Sequence, residues 1–141
     1  MSITPIITIT ASGGSGQYLY SFDNQPFGGS NIYEVENGGE ILIKVIDNST
    51  CYESINTITA WQYPKFFTPN NDGFNDTWSI KTNKKIKVDI FDRFGKLIYQ
   101  LTNNKSWDGT LEGLPLPSTD YWFGIYYSEN KFYKGHFALK R

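Results

Sequence analysis

The chain has 141 residues, room for one ordinary domain or two small β-domains. A formal net charge of −1 with scattered lysines argues against a nucleic-acid partner, and a single cysteine, Cys51, excludes an internal disulfide and a multi-cysteine zinc site. No apolar run approaches the ~20 residues of a membrane helix.

Taken in chain order, the sequence alternates like strands and breaks like turns, with no sustained helical period. Residues 3–10 predict an Ile/Thr-rich strand, broken by Ser12-Gly13-Gly14-Ser15-Gly16. Residues 17–22 follow with Tyr18, Tyr20 and Phe22 on one face. Residues 41–46 predict a strand with Ile41, Ile43 and Val45 inward, and 54–60 the last strand of the first half. Beyond the polar stretch 68–76, residues 86–91 place Ile86, Val88 and Ile90 inward. Asp92-Arg93-Phe94-Gly95 turns the chain into 96–101. Trp107-Asp108-Gly109 opens a loop, and 121–127 with 132–139 form a closing hairpin whose final strand is expected to be an open edge. Aromatic residues make up 17% of the chain, which suits strands that pack across a pleat. Trp78, Trp107 and Trp122 are expected in the core.

Two charge regimes meet near Trp61. Residues 1–61 hold one basic residue against six acidic ones, net −5, and residues 62–141 hold twelve basic against eight acidic, net +4. This places a boundary there: 1–61 as one small β-sandwich and 62–141 as a second, joined by a protease-sensitive segment near 58–64. The fold class expected is all-β, two immunoglobulin-like sandwiches in tandem. The start lacks a charged leader and a long apolar stretch, so an exported protein of this sequence is expected to be a piece of something longer, Met1 not being native to it.

One loop has site-like spacing. Asn70, Asp72, the Phe74 carbonyl and Asp76 fall at relative positions 1, 3, 5 and 7, a set of hard oxygens suited to Ca²⁺. The same residues also suit a turn whose Asn and Asp side chains cap its own backbone. His136 faces away from Phe137, and no Gly-x-Ser-x-Gly elbow accompanies it, so no hydrolytic triad is read here. Cys51 reads as a small buried hydrophobe. Asp92 and Arg93 read either as a surface ion pair or as groups met by a partner.

Phe67-Thr68-Pro69-Asn70-Asn71-Asp72-Gly73-Phe74-Asn75-Asp76-Thr77-Trp78, Ile90-Phe91-Asp92-Arg93-Phe94-Gly95-Lys96-Leu97-Ile98-Tyr99, Trp107-Asp108-Gly109, Tyr121-Trp122-Phe123 and the terminal Lys134-Gly135-His136-Phe137-Ala138-Leu139-Lys140-Arg141 follow one another in order. This half resembles the type B sorting domain of the type IX secretion system, the gliding-motility-associated C-terminal domain of Bacteroidota. Its motif loop maps onto Thr68, Pro69, Asn70, Asp72, Gly73, Asn75 and Asp76. The sequence departs from the family's usual pattern at Phe94, where Trp is usual, and at Asp120, where Gly commonly precedes the Tyr. Residues 9–51 are similar to the SprB-type repeat of gliding adhesins, through Ala11-Ser12-Gly13-Gly14-Ser15-Gly16-Gln17-Tyr18 and Ile43-Lys44-Val45-Ile46-Asp47 with Cys51 beyond.

The resemblance implies a non-catalytic export signal, read by an outer-membrane translocon and a partner outer-membrane protein. The passenger then stays on the cell surface or is released. Arg93, Tyr121, Lys134, Lys140 and Arg141 are the residues expected to meet that machinery. The competing reading is a carbohydrate-binding β-sandwich module, indifferent to its place in the chain. No cofactor is expected beyond the calcium reading of the polar loop.

Overall fold

A computed structural model describes residues 4–49, 52–102 and 105–141; Cys51 lies outside the described residues. All regular structure in them is β. The first half holds β1 (Ile6–Thr8), β2 (Tyr18–Phe22), β3 (Ile32–Glu34), β4 (Gly39–Asp47) and β5 (Glu53–Ala60). β2, β4 and β5 form an antiparallel sheet in that order, and β1 pairs antiparallel with β3. Strand alternation sends Ile41 and Ile43 of β4 inward, where they meet Ile7, Phe22 and Val35. Val45 packs at the margin of that cluster, and Phe22 stacks on Tyr33 at 5.0 Å. Asp47 closes the glycine-rich break: its carboxylate accepts from the backbone N–H and hydroxyl of both Ser15 and Ser49. Those bonds, led by the Ser15 hydroxyl, hold its carboxyl well below the usual carboxylate range.

The second half holds β6 (Phe66–Phe67), β7 (Lys87–Phe91), β8 (Leu97–Thr102), the short pair β9 (Thr110–Leu111) and β10 (Leu114–Pro115), and the long hairpin β11 (Thr119–Ser128) and β12 (Lys131–Leu139). One sheet runs β6-β12-β11-β7-β8, antiparallel except where β6 joins β12 in parallel. Its inward face, with the segments carrying Trp78 and Trp107, encloses an aromatic core of Phe67, Trp78, Trp107, Tyr121, Phe123 and Phe137. Trp78 stacks on Phe137 at 4.1 Å, and Trp107 meets Tyr121 edge-on at 5.4 Å. Trp78 Nε1 donates to the Pro64 carbonyl at 2.8 Å and Trp107 Nε1 to that of Thr110 at 2.9 Å, whereas the buried Trp61 Nε1 meets no acceptor among the described residues. Each such ring removes 150–250 Å² from water, roughly 4–6 kcal/mol as an upper bound.

The two hydrophobic clusters are separate, but the join between them carries more contacts than the expected boundary implies. β5 runs directly into Trp61, which packs in the second cluster against Tyr127 at 5.1 Å. Gln62 is buried, its amide nitrogen directed at the Val35 and Glu36 carbonyls at 3.1 and 2.8 Å. The Gly38 N–H donates to Lys81 O at 2.8 Å, and the Thr82 hydroxyl donates to Gly38 O at 2.6 Å. Ion pairs Lys84–Asp23 and Lys131–Glu40 flank this seam, so the charge asymmetry read as a boundary also joins its two sides.

Two further expectations change. The final strand is covered only at its end, where Ala138 N–H donates to Lys65 O and Lys140 N–H to Phe67 O; over residues 131–137 β6 leaves its outer edge open. Trp122 is not core: it sits on the outward phase of β11 and is 41% exposed, while Trp78 and Trp107 are buried as expected.

Candidate functional site

The 68–76 loop folds on itself. Thr68 N–H donates to the Asn75 carbonyl at 2.7 Å, closing the base. Inside it, Asp76 Oδ1 accepts from the N–H groups of Asn70 and Asn71 at 3.2 and 2.8 Å, and Oδ2 accepts from that of Gly73 at 2.7 Å. Asn70 Oδ1 accepts from Asp72 N–H, and Asp72 Oδ1 from Phe74 N–H. Asn71, Gly73 and Asn75 take positive φ, which lets successive N–H groups converge on one carboxylate. Each side chain named for calcium thus accepts at least one backbone N–H, as in a capped turn. Among the described residues no three His, Cys, Asp or Glu side chains converge as a metal cluster.

The residues expected to meet a partner fall into two groups. Arg93, Lys134 and Lys140 are exposed, their charged ends lying over the rings of Phe94, Phe132 and Phe66 at 4.9, 5.7 and 4.6 Å. Tyr121 and Arg141 are structural instead. Tyr121 is 2% exposed because strand alternation turns it inward; its hydroxyl donates to Pro117 O, and burial pushes its pKa up. The Arg141 guanidinium donates to the carbonyls of Leu116, Gly109 and Pro69, pinning the polar loop and the β9–β10 segment to the end of β12. Asp92 does not pair with Arg93; its Oδ1 accepts from the N–H groups of Phe94 and Lys96 and so shapes the turn.

Sequence reasoning missed Lys87, Trp122, Tyr126 and Phe132. The signal was present: Trp122, Gly124 and Tyr126 alternate with the buried Tyr121, Phe123 and Ile125. On that phase β11 faces His136, Lys134 and Phe132 of β12 on one side, and Phe91, Asp89 and Lys87 of β7 on the other. The arrangement offers recognition through rings and cations.

The family model of the CHU_C type IX secretion signal domain matches residues 61–139. No curated protein matches the chain. The matched span begins at Trp61, the first residue of the aromatic core, and ends at Leu139, the last residue of β12. The chain belongs to the type IX secretion signal domain family, and this half is a sorting signal for export across the outer membrane to the cell surface or the extracellular space.

Proposed function

We propose that the chain is the delivery end of a gliding-type surface adhesin of Bacteroidota. Residues 62–141 act as a type B sorting domain and residues 1–61 as a SprB-type repeat, the two forming tandem immunoglobulin-like sandwiches. The signal is non-catalytic, and it is read by the type IX translocon together with a partner outer-membrane protein. The observation that supports this most is the coincidence of the family match with one complete aromatic core, starting at Trp61 and closing on β12. A signal shared by many passengers must carry its information in its own surface, and exposed Arg93, Lys134 and Lys140 supply cations there.

The test is a reporter fused ahead of the full chain in a host with this secretion system, compared with a translocon-deficient strain. Surface or extracellular reporter only in the competent host is expected. Equal reporter in both strains, or none in either, refutes the reading.

A further inference from the structure

The outward face of the five-stranded sheet departs from the polar surface that a half-solvated antiparallel sheet normally presents. Trp122, Tyr126 and Phe132 lie there: Tyr126 pairs across the strands with Phe132, their rings 4.7 Å apart, and Trp122 with His136 at 6.1 Å. At the centre stands Gly124, over which the Phe132 ring lies so closely that a Cβ would sit 2.3 Å from it. The missing side chain lets the ring lie flat on the sheet. A groove of about 580 Å³ runs along this face, its lining including Asp92, Arg93, Trp122, Tyr126, Phe132 and Lys134.

The exposed charges beside the aromatic rings are lysines, while the carboxylates Asp92 and Asp120 stand toward the end of the face. Lys87 lies 5.8 Å from the Tyr126 ring centre and Lys134 5.7 Å from that of Phe132. Both are exposed, and neither forms an ion pair among the described residues. Asp89, paired across the strands with Gly124, is buried and accepts from Gln100 Nε2 at 2.9 Å, so it is not offered outward. Asp120 is the one exposed carboxylate among the described outward positions of β7, β11 and β12.

We propose that this face is a docking surface for an acidic protein partner during export, with Trp122, Tyr126 and Phe132 as anchors and Lys87 and Lys134 as the charges that meet its carboxylates. The inference rests on the sorting-signal reading and adds the surface and the partner's chemistry. Large rigid aromatics are the anchors of binding hot spots, and charges around them steer a partner of opposite sign. Ammonium groups held over the rings occupy the faces on which a sugar would stack, and they favour carboxylates that arrive with complementary charge.

The experiment uses the full-chain reporter fusion with two independent variants, Lys87→Glu/Lys134→Glu and Trp122→Ala, and a control with equal charge change elsewhere, Lys85→Glu/Lys105→Glu. Purified chains are first shown to melt like wild type; the first variant alters only exposed side chains, so it serves even if Trp122→Ala does not fold. Expected is a loss of surface-delivered reporter of about tenfold or more in both face variants, with the control unchanged. Wild-type delivery by the folded face variants overturns the inference and leaves the sorting reading standing. Failure of the wild-type fusion to be exported removes that reading, and the inference falls with it. Retention of the purified chain on immobilised outer-membrane polysaccharide, lost in the same variants, would overturn the assignment of an acidic protein in favour of a glycan.

Discussion

Replacing Asp76 by Ala isolates the logic of the polar loop. The substitution removes both oxygens that gather the N–H groups of Asn70, Asn71 and Gly73. A hydrogen bond to a charged acceptor contributes about 1.5–3 kcal/mol when well shielded, but these donors lie at the surface and are rehydrated once freed. A net loss of about 1–2 kcal/mol is expected for the three together. That corresponds to a fall in Tm of roughly 4–8 °C for a cooperative unit of this size. Asp72→Ala removes one bond, to Phe74 N–H, and should cost no more than about 1 kcal/mol. Differential scanning calorimetry in EDTA and in about 10 mM calcium, roughly ten times the weaker Kd of extracellular calcium modules, separates the two readings of the loop. Three N–H dipoles aimed at Asp76 oppose a cation at the same oxygens, so wild type should melt alike in both buffers and the variant should lose the same amount in each. A ligated ion at ten times its Kd would add about 1.4 kcal/mol. A calcium-dependent rise in wild-type Tm that Asp76→Ala abolishes refutes the capped-turn reasoning.

Trp78→Ala should lower stability by about 3–5 kcal/mol, measured by urea denaturation, because it opens a cavity beside Phe123 and Phe137; a loss below about 1 kcal/mol would show that the core collapses around it. Limited proteolysis should spare 58–64, since Trp61 and Gln62 are buried and Gly38 is bonded to both Lys81 and Thr82; rapid cutting there would show the seam to be open in solution. Burial, helped by the Tyr133 hydroxyl, pushes the Tyr63 pKa from 10.0 up to about 12. A raised pKa keeps the folded phenol protonated, so this contribution is complete below pH 10.0 and is lost as pH rises toward 12. Tyrosinate absorbance should show a late-titrating fraction that Tyr63→Phe reduces, and an unchanged titration curve would contradict the assigned burial.

How much of this was legible depended on whether a residue's fate is set locally. The β4 run and the β7–β8 turn depend on alternation, and the structure places Ile41, Ile43, Val88 and Ile90 inward as expected. The density of Asn and Asp in 68–76 announced a turn, but the same oxygens suit a cation or an N–H group equally. The convergence of three backbone donors on Asp76 favours the turn, and calcium-dependent melting is the measurement that decides between them. Trp122 was misplaced because size and apolarity favour burial, whereas strand phase, set by its buried neighbours Tyr121 and Phe123, turned it outward. The role of Arg141 was invisible for a different reason. Its carbonyl partners, Pro69, Gly109 and Leu116, are brought to it only by the fold.

The position of β6 also bears on how such a signal is read. Strand addition to the end of β12 would first have to displace β6, and with it the bonds from Ala138 N–H to Lys65 O and from Lys140 N–H to Phe67 O. It would also pull Phe67 from the aromatic core, where the ring lies 5.7 Å from Trp107 and 5.9 Å from Phe137. The loss of one such buried ring is comparable to a large fraction of a small domain's stability. Edge pairing at the terminus thus demands partial unfolding of the signal, whereas the outward face of the sheet is reached with every strand in place. At the other end of the sheet, β8 pairs only with β7 among the described residues and leaves its outer edge free. A reader that adds a strand without unfolding the domain would have to do so along β8 or along residues 131–137 of β12, which β6 does not cover, and Pro substitution at an outward N–H of β8 would block the first route while sparing a reader of the face. Export of a folded β8-proline variant at wild-type level, together with loss of export in Lys87→Glu/Lys134→Glu, is the outcome expected; the reverse pattern would move recognition from the face to the edge.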